Sequence, residues 1–392
     1  MTPAARVQAA IELLDTVIAS ARAKGAPADR IIADYFRARR YAGSKDRRAV
    51  RDLVYRAIRL CGPVPASGRA AMLAVAVQDE AVAALFDGSP HGPALRGEGE
   101  EAANTGLAPK WLAAALRASG LDGREIAALL DRAPLDVRVN ALKADREGLT
   151  LPEPGEVLAS GQGLRFASGT QVEQWEAYEQ GLVEIQDLGS QLIVEALPVS
   201  PGDTIIDLCA GGGGKTLALA ARLGNAASII AADTDKRRLG NLAPRAARAG
   251  AAVDHTVLLD PGSEMRSLHP FANKADHVLV DAPCSGSGTW RRSPEGRWRL
   301  DPAELARLNH LQDHVLTLAA QLVRPGGSVA FVTCSVLDAE GADRISAFLE
   351  RHPGWRAEDL TLPLGTPRGA GIRLDPLHHG TDGFFIACLR SP

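Results

Sequence analysis

The sequence predicts an α/β protein in which a mostly parallel sheet, covered by helices on both faces, follows a helical N-terminal region. Three observations predict it. From residue 200 onward, apolar runs of strand length alternate with helical periodicities. Four of those runs end at or near an acid: Asp207, Asp233, Asp260 and Asp281. Residues 4–60 instead repeat apolar side chains at helical spacing, with Val7, Ala10, Ile11, Leu14 and Ile18 on one face.

A second helical run, Val50, Leu53, Val54, Ala57 and Ile58, follows Ser44-Lys-Asp-Arg47, which reads as an N-terminal cap. Gly62-Pro-Val-Pro65 breaks the pattern, and short helical runs continue to residue 86. Residues 87–106 are rich in Gly, Pro, Glu and His and read as a loop or linker. Helical signals resume at Pro109-Lys-Trp111 and run to 132. Leu135–Asn140 alternates like a strand, and Val183–Gln186 reads as another. Thr204–Asp207 then leads into a Gly-rich turn and a helix. Ile229–Asp233 precedes a helical stretch over 236–249. Val253–Leu259 and His277–Val280 follow as strands. Residues 303–323 are helical, with Leu305, Leu308, Leu311, Val315, Leu318 and Leu322 on one face. Arg324-Pro-Gly-Gly327 turns into a strand over 328–333, and Phe384–Leu389 is the last strand. The expected domains are therefore 1–132, helical and containing the linker; 133–197, small α/β; and 198–392, the larger α/β domain.

Composition narrows the function classes. With 392 residues, 46% hydrophobic and 23% charged, the chain fits a soluble protein with a sizeable core. Its five cysteines, Cys61, Cys209, Cys284, Cys334 and Cys388, are odd in number and lack CxxC or Cys/His spacing, so neither a metal site nor a disulfide framework is expected. Free thiols suit a reducing compartment, here the cytoplasm. Residues 1–30 mix charged and apolar side chains, so no leader is expected. No uncharged apolar stretch is long enough to span a bilayer, so no membrane partner is expected either. A net charge of −3 argues against a protein that coats nucleic acid, but the distribution is uneven. Arg37, Arg39, Arg40, Lys45, Arg47, Arg48, Arg51, Arg56 and Arg59 crowd one segment, and Arg291, Arg292, Arg297 and Arg299 form a second cluster. Such patches bind phosphates even on an acidic protein; a solvated helix face is the other reading.

The Gly-rich turn is Asp207-Leu-Cys-Ala-Gly-Gly-Gly-Gly-Lys-Thr216. A P-loop requires a glycine where Cys209 stands, so that pattern fails. A dinucleotide turn is matched cheaply by any glycine run. The third reading is a turn under the amino-acid moiety of S-adenosylmethionine. Four strand-end acids would repel a pyrophosphate or triphosphate and suit a cationic sulfonium with a free ribose. Cys284 and Cys334 follow two apolar runs, at strand ends that could face one pocket. A thiolate adding to carbon 6 of a pyrimidine makes carbon 5 enamine-like, so that it can take up a methyl group; the thiol then leaves. Asp281 could bond the protonated ring nitrogen of cytosine. Cys61 and Cys388 read as core residues.

Asp207-Leu-Cys-Ala with Gly213-Gly-Lys-Thr216, Asp281-Ala-Pro-Cys-Ser-Gly286 with Gly288, and Thr333-Cys-Ser-Val336 together resemble the RsmB/Nop/Sun family of RNA cytosine-carbon-5 methyltransferases. Asp382-Gly-Phe-Phe385, Glu184–Ser190 and Pro134–Asn140 also resemble family segments, so the likeness covers 105–392. The resemblance implies a Rossmann-like class I methyltransferase domain, preceded by a small RRM-like α/β domain and a helical NusB-like, RNA-binding region. It implies S-adenosylmethionine as cofactor, and RNA as substrate, with small-subunit ribosomal RNA favoured and transfer RNA kept open. It implies Cys334 as nucleophile, Cys284 as the residue that assists release and Asp281 beside the target base. Cys209, Ala210, Gly211, Gly212, Gly213, Gly214 and Lys215 would line the cofactor with Asp281; Asp233 would bind its ribose and Asp260 its adenine region. A monomer without metal is expected. Two departures stand out. Gly211 and Gly212 would make the loop more flexible. Ala339-Glu340-Gly341 replaces the family's Glu-Glu-Asn, which would weaken hydrogen bonding on the substrate side. That second departure motivates an alternative, an inactive RNA-binding assembly or antitermination factor on the same fold. A DNA cytosine methyltransferase, with Cys284 as nucleophile, is the weaker third reading.

Overall fold

The computed structural model describes residues 1–392 and divides into two compact units. The first is Met1–Asp131 with Thr289–Glu304; the second is Arg132–Gly288 with Leu305–Pro392.

The first unit is helical. Its core comes from α1 (Pro3–Arg22), α2 (Ala28–Ala38), α3 (Ser44–Leu60) and α4 (Gly68–Gln78). Thr2 caps α1 by accepting the Ala5 N–H at 3.2 Å, and Pro3 fits the first turn because it has no N–H to satisfy. Gly68 lets α4 start against α1: a Cβ there would lie 2.2 Å from the Ile11 carbonyl oxygen. The expected cap at Ser44 is not formed. Gly43 occupies the cap position, Ser44 is already helical, and Asp46 in the first turn bonds the N-terminal amine and Arg6 instead. Residues 87–106 hold no helix or strand. They are tied back by an ion pair between Arg69 and Glu100 and by the Ala103 N–H donating to the Ala70 carbonyl.

Two arginines of the second cluster, Arg297 and Arg299, are not presented to a ligand as expected. Arg297 is fully buried and donates to the Ile58, Arg59, Cys61 and Pro294 carbonyls, while Trp298 joins the helical core and donates to Cys61. Arg299 donates to the carbonyls of Gly25 and Ala26. Composition cannot tell such a pin from a solvated arginine. Segment 289–304 thus packs with the helices, although sequence reading groups it with the larger α/β domain.

The second unit holds two sheets. The smaller contains β1 (Leu135–Val139), β2 (Glu156–Val157), β3 (Gly163–Phe166) and β4 (Val183–Ile185), antiparallel in the order β2-β3-β1-β4. Buried polar residues fasten it to the larger domain. Glu184 pairs with Arg245 and Arg248, and the Asn140 amide donates to the Gly181 and Ala249 carbonyls.

The larger sheet contains β5 (Thr204–Asp207), β6 (Ser228–Asp233), β7 (His255–Leu258), β8 (Ala275–Asp281), β9 (Val323–Thr333), β10 (Arg356–Glu358), β11 (Thr366–Arg368), β12 (Gly371–Leu374) and β13 (Phe384–Arg390). The order is β11-β12-β13-β9-β8-β5-β6-β7, with β10 beside the far end of β13. Strands β5 to β9 are parallel to their neighbours and β13 is antiparallel to β9, so the sheet is mixed and consistent with a Rossmann-like methyltransferase domain. The chain runs outward from β5 to β7 and then resumes on the other side with β8 and β9. That reversal opens a crevice at the carboxyl ends of β5 and β8, where ligands bind in such sheets. Two details differ from expectation. The helix over 236–249 is broken into Lys236–Leu239 and Leu242–Ala249 around Gly240-Asn241. The Arg324–Gly327 turn is a bulge within β9, where pairing to β8 jumps from Ala275–Val323 to His277–Ser328.

Replacing Arg297 by Ala leaves several buried carbonyls without a donor. We expect the helical unit to lose about 2–4 kcal/mol in urea unfolding, with Arg297→Lys recovering only part because an ammonium lacks the planar fork. Unchanged stability in Arg297→Ala would contradict this role.

Candidate active site

The strand ends assemble the site. After β5 the chain passes through residues 208–213 into the helix Gly214–Arg222. Gly213 is left-handed (φ 84°), and a Cβ on it would lie 2.2 Å from Leu242. The glycines do not leave this loop loose, contrary to expectation. The Gly211 N–H donates to Asp233 at 2.7 Å, the Ala210 N–H donates to the Ala232 carbonyl, and Arg245 donates to the Gly212 carbonyl at 2.6 Å.

Negative charge concentrates around this loop. Asp207 is buried; one carboxylate oxygen accepts from the Thr216 hydroxyl at 2.6 Å, and the other, Oδ1, is buried without a partner. Burial pushes its carboxyl up to about 7. The Cys209 thiol is driven well above its ordinary value, by burial first and then by the charges of Asp233, Asp207 and Asp281. Three of the four strand-end acids therefore converge on one loop. Asp260 stands apart: it is exposed, two residues beyond β7. Lys215 supplies a buried positive charge. Its ammonium lies 2.7 Å from Asp281 and 5.7 Å from the Phe384 ring centre. Burial pulls its pKa down, but Asp281 outweighs burial and leaves it raised. Lys215 is thus already committed to Asp281, whose carboxylate stays 34% exposed.

The two cysteines meet. β8 and β9 are neighbouring parallel strands with Asp281 opposite Val332, and the Ala282 N–H extends the pairing to the Val332 carbonyl at 2.8 Å. Cys284 and Cys334 follow these ends, and their sulfurs lie 3.3 Å apart. Both are half-buried. The Cys284 thiol is held well above its ordinary value by its hydrogen bond to Cys334, by burial and by the charges of Cys334 and Glu340. Ionisation of Cys284 is therefore disfavoured where it stands.

Their loops are laced together. The Ser287 and Ser335 hydroxyls bond at 2.9 Å, and the Gly288 N–H donates to the Cys334 carbonyl at 3.0 Å. Gly383 closes the arrangement by donating to the Gly288 carbonyl at 2.8 Å; a Cβ on Gly288 would lie 1.9 Å from the Gly383 carbonyl oxygen. Asp382 in turn donates its N–H to both oxygens of Asp187, which joins two motif segments distant in sequence.

Sequence reading missed Glu340 and Gln312 as parts of the site. Glu340 is fully buried and accepts from the Ser285 N–H at 2.8 Å, from the Ser285 hydroxyl and from Gln312 at 3.1 Å. Gly341 is tightly packed: a Cβ there would lie 2.7 Å from the Phe385 ring. The ring fills the space a side chain would need.

Comparison with known proteins now adds to this geometry. The model of the family described as 16S rRNA methyltransferase RsmB/F matches residues 194–390, half of the chain. The chain belongs to this family. The RsmB/F family is one of S-adenosylmethionine-dependent methyltransferases. Over 271 residues the chain is 35% identical to a "Probable ribosomal RNA small subunit methyltransferase B" from Synechocystis, covering 65% of this chain and 60% of that protein. It is 34% identical over 283 residues to the "Ribosomal RNA small subunit methyltransferase B" of Thermus thermophilus, covering 72% and 65%. The chain thus spans about three fifths of the length of the first curated relatives it matches. Two solved structures share the fold. PH0851 superposes with a TM-score of 0.74 at 24% identity, covering 99% of each chain. NSun6 from Pyrococcus horikoshii with SFG superposes at 0.61 and 22% identity, covering 72% of this chain and 98% of that one.

The loop fits the family cofactor on its own chemistry. An orphaned buried carboxylate oxygen on Asp207, a glycine cradle and an excess of buried acid favour a cationic ligand and disfavour a polyphosphate. Asp207 also gives a pH signature. Its folded pKa lies above the ordinary 3.8, so its protonated form is favoured by folding. Stability is therefore highest below pH 4 as far as this group is concerned, and falls as pH rises toward 7, by up to roughly 4 kcal/mol. Urea titrations from pH 4 to 8 are expected to show Asp207→Asn flattening this decline and becoming more stable than the parent above pH 7. An unchanged slope would contradict the burial argument.

Proposed function

We propose that this chain transfers a methyl group to carbon 5 of a cytosine in RNA, with small-subunit ribosomal RNA as the substrate. The thiol pair at 3.3 Å carries the reading. The names of its relatives, ribosomal RNA small subunit methyltransferase B, support RNA as the partner.

Because ionisation of Cys284 is disfavoured, attack on carbon 6 is assigned to the sulfur of Cys334. Carbon 5 then becomes nucleophilic. When bound, S-adenosylmethionine supplies the electrophilic methyl group. Cys209 to Lys215, Asp233 and Asp281 would hold it, with Asp260, exposed beyond β7, left to the adenine region; the SFG named with the neighbouring NSun6 supports the cofactor. Asp281, held by Lys215, would bond the protonated ring nitrogen of cytosine and help the ring accept electrons. A base then takes the carbon-5 proton, the electrons of that C–H bond re-form the ring double bond, and the C6–S bond breaks to return Cys334 as thiolate. Cys284, in contact with Cys334, assists that release.

The target base must leave its stack to reach both sulfurs, which favours a loop or an assembly intermediate over a closed duplex. The NusB-like reading gives the helical unit the phosphate backbone. Arg37, Arg39, Arg51 and Arg56 make surface ion pairs there with Asp34, Glu12, Asp29 and Asp79. Such pairs are worth about 0–1 kcal/mol each and are readily exchanged for phosphates. The small sheet as an RRM-like module, a monomeric state, a metal-free site and action in the cytoplasm belong to the same proposal. Gly341, packed under Phe385, argues against reading the altered motif as decay of an enzyme into an inactive factor. The disfavoured ionisation of Cys284 argues against Cys284 as the nucleophile.

Cys334→Ala is expected to abolish methyl transfer to small-subunit ribosomal RNA. Cys284→Ala is expected to stall release and leave an RNA adduct that survives denaturing electrophoresis. Full activity without an adduct in Cys284→Ala would overturn the assignment.

A further inference from the structure

Cys284 is held on both flanks by residues outside its own loop. Gln312, on the helix Pro302–Leu322, donates its amide both to the Pro283 carbonyl at 3.0 Å and to Glu340 at 3.1 Å. Glu340 in turn accepts from the backbone N–H and hydroxyl of Ser285. The tripeptide Pro283-Cys284-Ser285 is thus clamped before and after the thiol. The clamp contains a fully buried carboxylate, an expensive group to place there for shape alone.

We propose that Glu340, with Gln312, is a positioning residue for the thiol pair: its buried carboxylate fixes the Pro283–Ser285 turn and sets a negative charge beside Cys284, so that attack falls to Cys334. The assignment rests on the reading of the pair as nucleophile and release partner. The charges facing the pair are few. Glu340 acts on Cys284, which also meets Cys334; Lys215, paired with Asp281, acts on Cys334. A negative charge beside Cys284 opposes its ionisation, while the charge interacting with Cys334 is the positive one of Lys215. The two sulfurs are chemically alike, and this asymmetry of surroundings separates their roles. Thr333 adds a further tie by donating its hydroxyl to the Glu340 carbonyl at 3.2 Å, so the clamp is also anchored to the end of β9.

The test reads thiol chemistry directly. Purified protein without RNA is treated with limiting iodoacetamide across pH 6 to 10, and each cysteine is followed by peptide mass spectrometry. In the parent, Cys334 is expected to react before Cys284 at every pH. In Glu340→Gln, removal of the charge is expected to speed Cys284 alkylation about tenfold near pH 8. Glu340→Asp is expected to keep the parent order. An unchanged Cys284 alkylation rate near pH 8 in a folded Glu340→Gln protein would overturn the proposal. Should that variant not fold, Cys284 reacting first in the parent would overturn it equally. Neither readout involves methyl transfer, so a failure here is distinct from a failure to trap RNA on Cys334.

Discussion

Strands β8 and β9 lie side by side in parallel, with Val280 opposite Phe331 and Asp281 opposite Val332. The candidate site depends on this register. Val278, Val280, Val329 and Phe331 are fully buried, so the pairing is locked by the hydrophobic core beneath it. A slip of one residue would carry Cys334 about 3.3 Å along the strand and turn alternate side chains to the other face. The 3.3 Å contact between the sulfurs would then be lost. The serine pair, the Gly288–Gly383 contact and the Glu340 clamp all act above this foundation. They fix the last few residues, which lie beyond the reach of the sheet.

Charge is the second constraint. The core of the sheet is apolar, yet Asp207, Asp233 and Asp281 converge on its edge with Lys215 as their buried cation. Left alone, such a cluster lowers stability, as the raised Asp207 pKa records. Proteins keep arrangements of this kind where a ligand of opposite charge completes them. The loop supplies shape through Gly213 and charge through the acids, and neither alone would select among ligands.

Much of this was legible in the sequence, and the parts that were not share a cause. β5, β6, β8 and β9 carry long apolar runs, and an acid or a cysteine follows each at the point where the strand ends. Strands β2, β3, β10, β11 and β12 have two to four residues, with Pro367 in one and Gly371 in another, and show no usable alternation. They form because neighbouring strands offer them a partner. Arg297 reads as one more member of a basic cluster; only tertiary packing reveals that it is spent on carbonyls of α3 and its C-terminal cap. Glu340 was visible merely as the neighbour of a missing asparagine. Its partner Ser285 lies 55 residues away, and no local pattern encodes that contact. The pairing of the thiols was inferable from two strand ends, but the distinct roles proposed for them rest on the unequal charges around them.

The central claim is that Cys334 forms the bond to cytosine and Cys284 does not. Small-subunit ribosomal RNA transcribed with 5-fluorocytidine tests it in the unmodified protein, because fluorine at carbon 5 blocks the elimination that frees the enzyme. After incubation with S-adenosylmethionine, nuclease digestion and tandem mass spectrometry locate the modified peptide. The account predicts a methylated fluorocytidine on Cys334 and none on Cys284. A nucleotide attached to Cys284, with Cys334 unmodified, would contradict it.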